Sequence, residues 1–379
     1  MGIGKIRLAS SIQDFNKYLE LINEYPELYL MGGQRFDQEK EISQEWISFN
    51  NYFYFIPQIL FMENNKSITI SVNIDHSKSI SQQILEIENG LSFTNNTIEM
   101  ISNPVTSSEE FPEFEAWNKN IAKCLSQIQG NVLQKAVLAR KKIIQFDSEL
   151  NIKKYFFNIT KSHSNSFQAL LQIDHSSGFI SVTPERLFSI EKNSLITDSI
   201  AGTIARGVDK ARDKELENIL LNSKKDINEQ GIVTQQLSKK LHELSEKVEI
   251  LKDKQILKLK YIQHLHTIFK AKIKNNIAIN EIIEKLHPTP AVGGGPTKQA
   301  LKFIRDHEQF DRGFYAAPFG VIGKDKSDLA VGIRSILINK KTAHIYGGAG
   351  IVEGSEGKKE WIETQNKMKN FLENYHING

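Results

Sequence analysis

Only one cysteine, Cys124, occurs in the 379 residues. A lone thiol cannot close an internal disulfide, so a reducing compartment is expected. No apolar run approaches the roughly 18 to 20 residues that span a bilayer. The opening residues, MGIGKIRLAS, lack the apolar core of a secretory signal. A soluble, cytoplasmic protein is therefore expected. Charge of one sign is also lacking: 48 basic against 45 acidic residues leave a formal net charge of +3. So even a balance gives neither nucleic acid nor a membrane surface a reason to bind. Internal repeats, low-complexity segments and an obvious interdomain linker are absent as well.

What is present is enough apolar material for a core, at 40% of the residues. Length allows two domains or one large one; with no linker, a single unit over residues 1–379 is expected. Residues 1–110 differ in character from residues 113–379. The first part is rich in Asn, Ser, Ile and Phe. Its pattern predicts a helix over Gln13–Asn23, strands at Phe53–Ile56 and Ser67–Ile74, and loops between Asn89 and Ser108. Next, Phe114, Trp117, Ile121, Leu125 and Ile128 mark one helical face, closed by Gly130. Strands are predicted at Ala136–Ala139, Phe167–Ile173, Phe179–Val182, Leu187–Ile190, Leu195–Thr197 and Tyr261–Ile268. One long helical stretch is predicted from Lys210 to Glu246 and another helix after Thr297. Strands at Phe314–Ile322, Leu329–Ile338 and Thr342–Tyr346 precede a closing helix, Glu356–Tyr375. Hairpins followed by helices, without regular βαβ alternation, indicate an α+β fold of antiparallel sheets with helices outside.

Two acidic pairs stand out, Asp226 with Glu229 and Glu360 with Glu363. Spacing of three puts each pair on one helical face. Two such faces together would offer oxygen ligands to a hard cation such as Mg²⁺; the same spacing also serves solvated surface helices. Glycine clusters lie at AVGGGP (291–296), GGAG (347–350) and around Gly202-Thr203. Glycine lets backbone amides approach an anion, though each cluster could equally be a turn. GGGPTK lacks the spacing of a nucleotide phosphate loop. GGAG is expected to end a strand and lead to a helix, a setting that favours an anion. His264 and His266 alternate along one strand, and His287 precedes Pro288; without a third ligand at suitable spacing, structural roles are favoured over zinc. Lys135 precedes the apolar run AVLAR. A lysine buried there could act as a base, and an exposed one would merely cap the strand.

These features fall in an order that resembles the chorismate-binding enzyme family. The matching runs are QKAVLAR (134–140), TPERLF (183–188), SIAGTIARG (199–207), KDINEQ (225–230), IQHL (262–265), LHPTPAVGG (286–294), GFYAAPFG (313–320), VGIRS (331–335) and YGGAGIVEGS (346–355) with EWIET (360–364). MGGQRFD (31–37) is similar to the start of the isochorismate-forming members. The resemblance implies antiparallel sheets packed face to face and wrapped by outer helices. It implies Mg²⁺ held directly by Glu229 and Glu363, with Asp226 and Glu360 supporting through water. It implies that Arg334 and Tyr315 take the enolpyruvyl carboxylate of chorismate. Gly202, Thr203, Gly347, Gly348 and Gly350 would complete the substrate cradle, with His264 and Ala291 on its wall. Lys135 would be the general base and Glu185 the general acid.

Within the family, two positions point to a branch. Amine-adding members lack a lysine where Lys135 stands, so Lys135 implies water as nucleophile and no amidotransferase partner. Salicylate- and anthranilate-forming members tend to carry threonine where Ala291 stands, so Ala291 implies a reaction that stops at isochorismate. The alternatives are a lyase that releases pyruvate and a protein that keeps the fold without turnover. The MGGQRFD start favours a menaquinone pathway over a siderophore pathway. A monomer is expected. The sequence departs from the family at Ala317, where many members have glycine, and the lysine-rich segment EKVEILKDKQILKLK resembles nothing specific.

Overall fold

A computed structural model describes residues 1–64, 67–91, 103–161, 166–259 and 261–372. Two large antiparallel sheets dominate. The nine-stranded sheet runs Ser245–Lys258, Ile262–Ile273, Ser194–Ala205, Arg186–Glu191, Lys326–Val331, Pro318–Ile322, Leu30–Gln34, Tyr52–Ile56, Arg7–Ala9. Strands from both compositional regions thus share one sheet. The seven-stranded sheet runs Gly294–Gly295, Lys135–Phe146, Thr342–Ile351, Ser335–Asn339, Ser177–Thr183, Phe167–Gln172, with Val105–Phe111 also on Lys135–Phe146. A third, three-stranded sheet joins Gly2–Ile3, Ile59–Asn64 and Ser67–Val72.

Strand alternation explains the layers. Phe179 and Leu337 point inward and share a core with Phe188, Leu195, Phe269 and Leu329 of the larger sheet. Their neighbours Ile180, Ile336 and Ile338 point the other way. There they meet Tyr155 and Ile159 of helix Ile152–Thr160 and Met368 and Phe371 of helix Gly357–Leu372. Helix Lys224–Leu244 lays Val233, Leu237, Leu241 and Leu244 down as its buried stripe. The architecture is α+β: sheets face to face with helices outside. Among the described residues no helix is long and apolar enough to cross a membrane.

Several boundaries differ from the sequence pattern, each for a local reason. The stretch 210–246 is two helices, Lys210–Asn222 and Lys224–Leu244. Ser223 divides them, because its hydroxyl accepts from Asp226 N–H and caps a new helix. The run Leu329–Ile338 is two strands in different sheets, broken at Gly332–Arg334, and Arg334 has φ of 48°. The lysine-rich segment is the edge strand Ser245–Lys258, where lysines blunt an open ladder. Helices Ile80–Leu91, Ile152–Thr160 and Ile279–Leu286 and strand Val105–Phe111 were not predicted. Much of the loop expected between Asn89 and Ser108 lies outside the described residues, as does the end of the closing helix.

Candidate active site

The chain crosses between the two large sheets at two corners that touch. One is Pro184-Glu185, between strands Ser177–Thr183 and Arg186–Glu191. The other is Gly332–Arg334, between Lys326–Val331 and Ser335–Asn339. Val331 N–H donates to Glu185 O at 3.0 Å, and Val182 N–H donates to Arg334 O at 3.0 Å. A corner takes residues out of the ladder and aims them into the space between sheets. Glu185 and Arg334 accordingly line one cavity.

Of the residues singled out in the sequence, that cavity brings together Glu185, Gly202, Thr203, Glu229, His264, Ala291, Tyr315, Arg334, Gly347, Gly348, Gly350 and Glu363. Lys135, Asp226 and Glu360 do not form its wall. Lys135 stands behind Glu229, with Nζ 2.8 Å from Glu229 Oε1, and is 1% exposed. It is therefore a buried lysine rather than a solvated strand cap. Asp226 sits behind Gly202 and accepts from Thr203 N–H at 3.3 Å. Glu360 is buried and paired with Lys225 at 2.5 Å.

GGAG does not end a strand as the sequence suggested; it lies inside Thr342–Ile351. Its glycines are required by close approach. A Cβ on Gly350 would stand 2.3 Å from Glu229 Oε1 and 2.7 Å from Lys135 Cε. A Cβ on Gly348 would stand 2.6 Å from the Tyr315 hydroxyl. Gly202 has φ of 70°, a conformation that disfavours side chains.

Burial sets the electrostatics. It pushes Glu185 up to about 7, against a hydrogen bond from Thr289 and the charges of Lys135 and Lys367. Arg334 is lowered to about 10, again by burial. His264 falls well below its ordinary value for the same reason, so it stands neutral; its Nδ1 lies 3.0 Å from Thr203 Oγ1. His266 pairs with Asp198 at 3.2 Å, and His287 is buried near Phe36 O, so the histidines are not gathered as ligands. Asp226 is raised by burial and then by Glu229, and Glu360 by burial and then by Glu363. Glu229 is lowered: burial raises it, and the contact with Lys135 together with the charges of Lys225 and Lys367 outweighs that.

The carboxylates on the two helices therefore crowd one another. Among the described residues no cluster of three or more acidic, His or Cys side chains is arranged to hold an ion. Lysines stand among the carboxylates instead: Lys135 on Glu229, Lys225 on Glu360, and Lys367 on Glu363 at 2.6 Å. The donors are the hard oxygens that a divalent cation takes, and the like charge felt by Asp226 and Glu360 is of the kind a cation would relieve, but in this arrangement lysines neutralise the carboxylates. Sequence reasoning missed Lys367, which also donates to Gly348 O at 2.8 Å and lines the cavity. The signal was available, since Lys367 follows Glu363 by one helical turn. It also missed Thr289, although the residue lies within LHPTPAVGG, two positions before Ala291.

The geometry has counterparts. The family described as "Chorismate binding enzyme" matches residues 6–375. The chain is 32% identical over 92% of its length to "Isochorismate synthase, chloroplastic" of Catharanthus roseus, covering 62% of that protein. It is 31% identical over 90% of its length to "Isochorismate synthase MenF" of Bacillus subtilis, covering 74% of that protein. It thus spans less than two thirds of the plant relative's length. The solved structure of MenF from Escherichia coli superimposes with a TM-score of 0.88 over 99% of this chain and 85% of that one, at 24% identity, a likeness of fold. With the match running through nearly every element that builds the cavity, the chain belongs to the chorismate-binding enzyme family.

Proposed function

We propose that this protein is an isochorismate synthase, isomerising chorismate to isochorismate in a Mg²⁺-dependent reaction, with menaquinone biosynthesis as its pathway. The observation that carries the reading is one cavity lined by Glu185, Glu229 and Arg334, with the buried Lys135 directly behind Glu229. In this reading Lys135, in its neutral amine form, takes a proton from water as the water oxygen bonds to C2 of the ring. The double bonds shift, the C4–O bond breaks, and Glu185 gives its proton to the departing hydroxyl, which leaves as water. One water enters and one leaves, so the substrate is isomerised.

Burial supports Glu185 in the acid role, because its carboxyl holds a proton near neutral pH. Arg334 has a planar fork suited to a carboxylate, and Tyr315 stands beside it. Glu229 and Glu363 would hold the metal, with Asp226 and Glu360 behind them. The ion would supply charge neutralisation and positioning of the ring carboxylate. Gly202, Thr203 and the glycines of GGAG keep the wall close to the substrate, with His264 and Ala291 completing it. Water as nucleophile requires no amidotransferase, and we take the working unit to be a monomer in the cytoplasm.

The test is to incubate the protein with chorismate and Mg²⁺ and separate the products by chromatography. Isochorismate without pyruvate is expected, dependent on Mg²⁺ and lost in Lys135→Ala. Salicylate with pyruvate would move the protein to the lyase branch, and no turnover would sink the enzymatic reading.

A further inference from the structure

We infer that Thr289 is a positioning residue for Glu185: its hydroxyl fixes the carboxyl group and leaves the transferable proton on the oxygen it does not touch. The inference rests on the reading of Glu185 as general acid. Thr289 Oγ1 donates to Glu185 Oε1 at 3.1 Å, and the two residues are 2% and 3% exposed. Among the described residues this is the carboxyl group's one hydrogen bond. A hydroxyl has a single O–H to give. With the Thr289 hydroxyl donating, Oε1 is the acceptor, and a proton on the carboxyl group goes to its other oxygen.

Both partners are held from behind. Thr289 O accepts from Val292 N–H at 3.1 Å and Gly293 N–H at 2.9 Å, which closes the turn carrying Ala291. Glu185 N–H donates to Thr183 Oγ1 at 3.2 Å, and its carbonyl takes Val331 N–H. The other charged or titratable groups that act on Glu185 are Lys135 from strand Lys135–Phe146, Asp198 from strand Ser194–Ala205, Lys367 from helix Gly357–Leu372, and Tyr315. Lys135 and Lys367 favour the ionised carboxylate and Asp198 opposes it. None of them replaces the short, directional contact from Thr289.

The sign of the effect follows. The hydroxyl stabilises the ionised carboxylate, so without it the proton is retained to higher pH. An acid catalyst fails as pH rises through its own titration. Thr289→Val should therefore move the high-pH loss of kcat upward by about half to one pH unit. It should also lower the plateau several-fold, because the carboxyl group is no longer held. Thr289→Ser should return both toward the parent values. Thr289→Ala provides a second hydroxyl-free variant and must shift the limb the same way. Glu185→Gln separates the two readings. A limb abolished by Glu185→Gln but unmoved in both hydroxyl-free variants overturns the role of Thr289 and leaves Glu185 the acid. A limb that survives Glu185→Gln overturns the acid assignment, and the inference with it.

Discussion

Arg312 and Arg334 are both buried arginines in the same core, and they are used in opposite ways. Arg312 is nearly saturated. Its Nε and Nη2 reach Glu308 at 2.8 and 2.5 Å, Nη2 also reaches Val137 O at 2.7 Å, and Nη1 reaches Val292 O at 3.0 Å. Four of its five N–H groups are thus engaged. Glu308 in turn accepts from Ala139 N–H at 2.7 Å. One ion pair ties together the strand that begins at Lys135, the turn that carries Ala291, and the GFY turn that carries Tyr315. Arg334 instead has, among the described residues, a single long hydrogen bond to Lys367 O at 3.4 Å. Its remaining donors are available to the cavity it lines. A charge satisfied by protein holds shape; a charge left under-satisfied has donors to offer, and the proposed function assigns those of Arg334 to a substrate carboxylate.

Removing each arginine should break the comparison in opposite senses. Arg312→Ala strands Glu308 as a buried, unpaired carboxylate and should cost about 3 to 5 kcal/mol, read as a lower midpoint in denaturant unfolding. Arg334→Ala should leave the unfolding midpoint almost unchanged. On the proposed function it loses a charge-assisted contact to substrate, which should lower its kcat/KM for chorismate by about 10- to 100-fold. An Arg334 variant as unstable as the Arg312 variant would show that both are structural.

The difference between these arginines was not legible in the sequence, and the reason is physical. VGIRS and DRGFY each place an arginine beside glycine and apolar residues, and one-dimensional pattern carries no information about how many acceptors surround a guanidinium. Periodicity did carry the helix of Phe114–Gln129, whose buried side holds Trp117 and Ile121 of the expected face, although Phe114 at its start is exposed. It failed at Gly332–Arg334, where the chain leaves one sheet for the other without an intervening polar turn. It failed at Lys210–Glu246, where a serine cap interrupts an otherwise helical composition. The order of the motifs marked the residues of the cavity. Spacing could have shown Lys367 beside Glu363, one helical turn away, but not Lys135 on Glu229, Lys225 on Glu360 or Thr289 on Glu185, since those pairings join segments far apart in the chain.

Gly350→Ala sharpens the contrast from the ligand side. The added methyl would meet the Glu229 carboxylate and the Lys135 side chain. Overpacking a closed site costs about 1 to 3 kcal/mol. Here the strain falls on a carboxylate proposed to hold metal, so weaker Mg²⁺ binding is expected, roughly 5- to 150-fold on that energy. Titration calorimetry with Mg²⁺ alone would measure it, and unaltered affinity would argue that Glu229 does not hold the ion. Circular dichroism should show the secondary structure intact.

Lys40 provides the smallest and most selective probe of the saturated side. Its half-buried ammonium donates to Glu308 O at 2.6 Å, so it adds to the backbone of the residue that anchors Arg312 without touching the ion pair itself. Lys40 lies just past MGGQRFD, where Arg35 also pairs with Asp311 at 2.9 Å and Arg305 with Asp37 at 2.8 Å. Lys40→Met keeps the apolar stem and removes one charge-assisted hydrogen bond, for an expected loss of about 1 to 2 kcal/mol in unfolding free energy. KM for chorismate should not move, because the Glu308–Arg312 pair keeps the three site-bearing segments in place. A change in KM with stability intact would mean that this N-terminal segment tunes the pocket through Glu308 rather than only bracing it.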